Sequence, residues 1–151
     1  MYAIVCVDNK LGMAFGGRRQ SMDSVLRHKV IKYVGTNELW MRAYTAKQFE
    51  KDPVPTLRVD ENYLQKAGRD SYCFVELDQI EDIYAKIQGI LLFRWNRTYP
   101  ANLFLKIPGN IRDWKIKVLE EFQGSSHERI TMELWNNLKY KNQCDSNQEG
   151  E

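Results

Sequence analysis

Ala3-Ile4-Val5-Cys6-Val7-Asp8, followed by Gly12 and then Gly16-Gly17, is the stretch on which the fold turns. From Tyr2 to Val7 the chain is almost continuously apolar. A strand covered on both faces has this pattern, whereas a half-exposed strand alternates. Asn9-Lys10 through Gln20 reads as a loop, and its glycines let the backbone take positive φ or approach a ligand closely. Ser21 is placed to cap a helix whose apolar stripe is Val25, Leu26, Val30, Ile31 and Val34, and Gly35 stops it. Glu38 to Met41 reads as a second strand, and Thr45 is placed to cap a second helix that brings in Phe49. Strand, glycine loop, helix, strand and helix in this order open an α/β sheet.

The remainder continues the alternation and then changes character. Pro53 and Pro55 mark a loop, and Asp60 to Ala67 reads as a short capped helix ended by Gly68. Tyr72-Cys73-Phe74-Val75 is a second buried strand. Ile80, Ile83, Tyr84 and Ile87 form a helix stripe stopped by Gly89, and Ile90-Leu91-Leu92-Phe93 is a third buried strand. Beyond residue 98 the pattern predicts strands over Leu103 to Ile107, Trp114 to Phe122 and Glu128 to Trp135. In the last, Ile130, Met132 and Leu134 alternate with polar residues, as in a half-exposed antiparallel strand. The expected fold is therefore α/β: a mostly parallel sheet with an antiparallel C-terminal edge and helices on both faces. One domain over residues 1–138 is expected, with a polar, disordered tail over 139–151.

Composition narrows the classes. Hydrophobic content of 43% and aromatic content of 12% supply a core and argue against disorder. The net charge of +2 is too small an excess to mark a dedicated nucleic acid binder. Cys6, Cys73 and Cys144 form no CxxC pair, and the two histidines have no ligand spacing around them, so no metal site is expected. No apolar run is long enough to span a membrane and no leader-like start is present, so a cytoplasmic protein with no membrane contact is expected.

The order of these pieces resembles dihydrofolate reductase. Val7-Asp8 and Gly12-Met13 look like that family's "VD…GIG" opening, and Asp23 falls where its pterin-binding carboxylate falls. Trp40-Met41 with Tyr44-Thr45 resembles its "MGR.T" turn, and Tyr84 to Phe93 its "Y…L.LT" stretch. Asn102-Leu103-Phe104 and Trp114 resemble the "DT.FP…W" that precedes its last hairpin. The resemblance implies that fold and a pterin cleft near Asp23 and Thr45. It departs where the family holds NADPH. Val75-Glu76-Leu77 replaces the glycine pair that meets the pyrophosphate, and Arg42-Ala43 replaces Gly-Arg. A glycine there lets backbone N–H groups reach phosphate, while side chains, one of them anionic, block and repel it. Only ten residues separate Phe49 from Asp60, too few for the strand and helix of an adenosine site. No cofactor is expected. The chain also lacks the His-rich metal motif of ribonuclease Z.

Four groups of residues carry candidate chemistry. The Asp23 carboxylate suits a bidentate contact with an amidine-like edge, or simply a helix N-terminus. Arg18-Arg19 stands where the resemblance implies an apolar pterin floor, and suits a phosphate or carboxylate, or solvent. Arg94-Trp95-Asn96-Arg97-Thr98-Tyr99-Pro100 combines cations and aromatic rings, as base-stacking and phosphate-gripping surfaces do, or forms an ordinary strand edge. Gly124-Ser125-Ser126-His127-Glu128 joins two hydroxyls and an imidazole, fit for phosphate binding or acid–base work, or for a hairpin turn. Asp23 and His127 are the candidate catalytic residues.

These residues point first to a protein that has lost NADPH binding and acts as a non-catalytic regulatory or inhibitory module. Its partner would be an anionic small molecule or a protein. A reductase acting on a folate or pterin through an altered cofactor site, and a small RNA-binding or RNA-processing protein, are the alternatives.

Overall fold

In the computed structural model, which describes residues 1–141, β1 (Tyr2–Val7) is the middle strand of a seven-stranded sheet. On its left lie β6 (Tyr72–Phe74), β4 (Leu39–Met41) and β5 (Leu57–Val59), all parallel to it. On its right β7 (Gly89–Arg94) is also parallel. The antiparallel strands β10 (Ile130–Asn137) and β9 (Trp114–Phe122) then complete the edge. The sheet is thus mostly parallel with an antiparallel C-terminal edge, as the run of elements predicts.

Alternation along β1 feeds two cores. Ile4 joins Leu26, Val30 and Val34 of α1 (Ser24–Val34) on one face. Ala3, Val5 and Val7 join Tyr63 and Leu64 of α3 (Tyr63–Lys66), with Ile80 and Ile87, on the other. Ala3, Ile4, Val5 and Val7 are all 0% exposed, which accounts for the apolar run. Each large aliphatic side chain so buried contributes about 1.5–3 kcal/mol.

Several local expectations are corrected. The segment read as a glycine loop contains β2 (Gly12–Phe15) and β3 (Arg18–Arg19), joined through Gly16 and Gly17 at φ 59° and 75°. Two successive positive φ values make the tight hairpin turn for which Gly-Gly is suited. The hairpin pairs with β8 (Leu103–Phe104) in a separate three-stranded sheet, so only part of the predicted 103–107 strand forms. Asp23, not Ser21, caps α1, because its carboxylate accepts from the Leu26 N–H. Thr45 does not cap a helix but lies inside α2 (Ala43–Ala46). Residues 81–86 form a 3-10 segment kinked at Ile83 rather than an α-helix, and Gly89 begins β7 instead of ending a helix. A short strand, β5, does fit between Phe49 and Asp60.

The alternation in β10 does not mark an exposed strand. β9 covers its outer edge, and Thr131, Glu133 and Asn137 are buried along with its apolar residues. Of the expected polar tail, Lys139 and Tyr140 still bond back to Asn137, and 142–151 lie outside the described residues. Among the described residues no helix is long and apolar enough to cross a membrane.

Candidate functional site

Loops at the C-terminal ends of β1 and β7 meet the β9–β10 connection. In open α/β sheets this end collects ligands, because loops and helix starts project there. Asp8 follows β1, Trp95 to Tyr99 follow β7, and Asp23 opens α1. Antiparallel pairing sets Thr131 of β10 opposite Arg94 of β7, which brings Ser125, Ser126 and His127 to the same end.

Four side chains there form one hydrogen-bonded line. Asp23 is 2% exposed, and its Oδ2 accepts from the Ser126 N–H at 2.7 Å and the Ser126 hydroxyl at 2.8 Å. Ser126 Oγ lies 2.7 Å from His127 Nδ1, and the Tyr99 hydroxyl lies 2.5 Å from His127 Nε2. Burial pushes the Asp23 carboxyl up, but donors on Ser126, Leu26 and Ser125 together outweigh it and hold the group below its ordinary value. Burial and the nearby Arg97 charge hold the His127 imidazolium down against the opposing pull of Asp23.

These charge states fix the direction of every bond. An ionised Asp23 only accepts, so the single Ser126 proton goes to it. His127 Nδ1 must then donate to Ser126 Oγ, which leaves Nε2 to accept from Tyr99. Serine, histidine and aspartate are all present, but in the wrong order for nucleophilic catalysis. In that chemistry the imidazole takes the serine proton and the carboxylate holds the imidazole. Here the carboxylate holds the serine.

The line is braced at both ends. Asp8, 1% exposed, accepts from the N–H groups of Lys10, Gly12 and Tyr99 and from the Gln20 amide. Burial raises its pKa, and those bonds together lower it further than burial raises it. The Trp95 ring stacks on His127 at 4.6 Å between centroids. A Cβ added at Gly124 would run into the Asp23 carboxylate and Ile130, which explains the glycine beside two serines.

Outside this line, Trp95, Asn96, Arg97 and Ser126 to Arg129 border an open cleft of about 640 Å³. Arg97 and Arg129 are exposed there, and among the described residues neither makes a salt bridge.

The other sequence candidates go elsewhere. Arg19 grips Glu76 with two bonds of 2.8 and 3.1 Å, and its guanidinium lies 4.1 Å from the Tyr44 ring centroid. Glu76 is therefore not a free negative charge. Arg94 pairs with Glu133 at 2.8 Å, and Arg18 is exposed on the hairpin. Thr45 is buried in α2 beside Tyr44, and the Ser125 hydroxyl accepts from the Ser24 N–H.

Sequence reasoning missed Tyr99 and Asp8 as partners. The legible signal for Asp8 was an acid ending an apolar strand just before a glycine turn. Tyr99 stands inside the aromatic–cationic stretch from Arg94 to Pro100, but nothing local points to its partner, which is 28 residues away. Among the described residues no cluster of three or more His, Cys, Asp or Glu side chains is placed to hold a metal. The chain matches no protein-family model and no curated protein.

Proposed function

We propose that this protein is a non-catalytic binding module that takes a small anionic ligand in the cleft between Arg97 and Arg129, on a dihydrofolate reductase-like framework. One observation carries the reading: among the described residues Arg97 and Arg129, which border the cleft with Glu128, make no salt bridge, while Arg19, Arg27, Arg42 and Arg94 are each tied to a carboxylate. An unpaired guanidinium offers planar, bidentate donation to a phosphate or carboxylate. The Ser126-His127 turn, held from behind by Asp23, makes one wall of the cleft rigid.

The alternatives have less support. A pterin held by Asp23 would have to displace Ser126 and Leu26, which already occupy both carboxylate oxygens. Base stacking on Trp95 would have to displace His127. A regulatory or inhibitory role without a nicotinamide cofactor suits the Val75-Glu76-Leu77 side chains at the end of β6, whose bulk stands where the resemblance implies glycine. The free thiols of Cys6 and Cys73 suit a reducing, cytoplasmic setting.

A thermal-shift panel with inorganic phosphate, pyrophosphate, AMP, citrate, NADPH, folate and a short RNA tests this. An anion at 100 times its dissociation constant adds about 2.7 kcal/mol, a rise on the order of 5–10 °C. The expected result is a shift with at least one small anion that disappears in Arg97→Ala/Arg129→Ala. A shift that survives this double substitution, or shifts with NADPH and folate alone, would overturn the reading.

A further inference from the structure

We infer that the outer edge of β9 is an interface between two copies of this chain, paired antiparallel about a two-fold axis near Val118 and Leu119. β9 ends the sheet and is nine residues long, and nothing among the described residues pairs with its outer side. A strand in that position presents a row of unused N–H and C=O groups. Its side chains add two further features.

The first is charge order. Lys115 and Lys117 occupy the first half of the strand, Glu120 and Glu121 the second, and all four are exposed. Among the described residues neither lysine has a carboxylate partner, while Glu120 is reached by Lys29. With the axis between Val118 and Leu119, antiparallel pairing of the strand with itself sets Lys117 of each copy opposite Glu120 of the other, two residues that lie on one face of β9, opposite Leu134 and Met132 of β10. Opposite charges across a strand pair stabilise it, and a parallel in-register pairing would oppose like charges instead. β9 is thus charge-complementary to its own reverse at Lys117 and Glu120.

The second is exposed apolar area on the same strand. Ile116 and Val118 are 44% and 57% exposed, and both side chains lie on one face, opposite Trp135 and Glu133 of β10. In the paired arrangement Val118 of each copy falls opposite Leu119 of the other at the axis, and Ile116 lies two residues further out. The strand register shifts between Met132 and Glu133 of β10, opposite Glu120 and Val118. The shift leaves Leu119 without a Cα partner on β10. A two-fold pairing closes on itself, so the edge is consumed and does not grow into a filament. The lysines, which otherwise only deter edge association, here select the antiparallel partner.

Sedimentation equilibrium over a wide concentration range, at low and high salt, tests the inference. The wild type should show a concentration-dependent species of twice the monomer mass, weakened at least tenfold in high salt. Lys115→Glu/Lys117→Glu, with an all-acidic edge, and Glu120→Lys/Glu121→Lys, with an all-basic edge, should each be monomeric. Mixing the two variants should restore the dimer, and circular dichroism should show both folded. A wild type that stays monomeric at millimolar concentration in low salt overturns the inference. So does a dimer that survives both double substitutions, or two variants that fail to associate when mixed.

Discussion

Ser126 reaches across 103 residues of sequence to place both its N–H and its hydroxyl on Oδ2 of Asp23, at 2.7 and 2.8 Å. The two bonds tie the β9–β10 connection to the start of α1, and Oδ1 of the same carboxylate caps that helix through Leu26. Asp23→Asn should therefore do more than lose a charge. Its amide can cap Leu26 through oxygen, but then turns an NH₂ group towards two donors on Ser126. Charged hydrogen bonds of this kind contribute about 1.5–3 kcal/mol each, partly shared. The expected loss is about 2–3 kcal/mol in urea unfolding. A loss below about 0.5 kcal/mol would show that the contact holds nothing.

Stability should fall in two stages as the solution is acidified. The Met1 amino group is pushed down to about 6, first by burial, so its contribution is complete above pH 8.0 and is lost as pH falls through about 6. His127 is also depressed, from 6.5, so folding favours its neutral form and that contribution too is lost as pH falls below 6.5. Asp23 and Asp8 lie below 3.8, so their contributions persist above that value and are lost beneath it. His127→Asn should flatten the part of the profile just below pH 6.5 and leave the carboxylate stage in place. An unchanged profile in that variant would remove His127 from the account.

Arg19 and Glu76 join the β2–β3 hairpin to the end of β6 across 57 residues, with only 17% and 9% of their side chains exposed. Breaking a largely buried pair strands the survivor, at a cost of about 3–5 kcal/mol when burial is complete. Glu76→Gln should cost about 2–3 kcal/mol here, given the residual exposure. Arg19→Met/Glu76→Leu together should come back to within about 1 kcal/mol of the wild type, because apolar groups of similar size pack well at such positions. Additive losses in the double variant would mean that the two side chains do not act as a pair.

The sheet was largely legible because its strands are decided locally. Ala3 to Val7 and Ile90 to Phe93 are apolar on both faces, and only a covered strand tolerates that. The helix stripe over Ile80 to Ile87 misled, since the same spacing is met by a kinked 3-10 segment whose apolar side chains drop onto the sheet. Alternation in β10 misled for a different reason. Glu133 is buried by its bond from Arg94, and no local pattern reports a partner on another strand. The site divided in the same way. Ser125, Ser126 and His127 stood out as a cluster in sequence, and Asp23 as a helix-start acid. The contact between them depends on how β10 pairs with β7, which is a property of the whole sheet.

The hydrogen-bonded line from Tyr99 to Asp23 makes one sharp statement about a single proton. Because Ser126 spends its proton on Asp23, the neutral His127 ring must carry its hydrogen on Nδ1, while Nε2 accepts from Tyr99. Long-range ¹⁵N–¹H correlation spectra at pH 7.5 distinguish the two nitrogens. The expected pattern is a protonated Nδ1 and a bare Nε2 for His127. Tyr99→Phe should leave that assignment intact while shifting the Nε2 resonance, since only its donor has gone. Ser126→Ala should release the constraint and let the other tautomer appear. A ring protonated on Nε2 in the wild type would reverse the line. The serine proton would then point to the imidazole, the direction that nucleophilic chemistry requires.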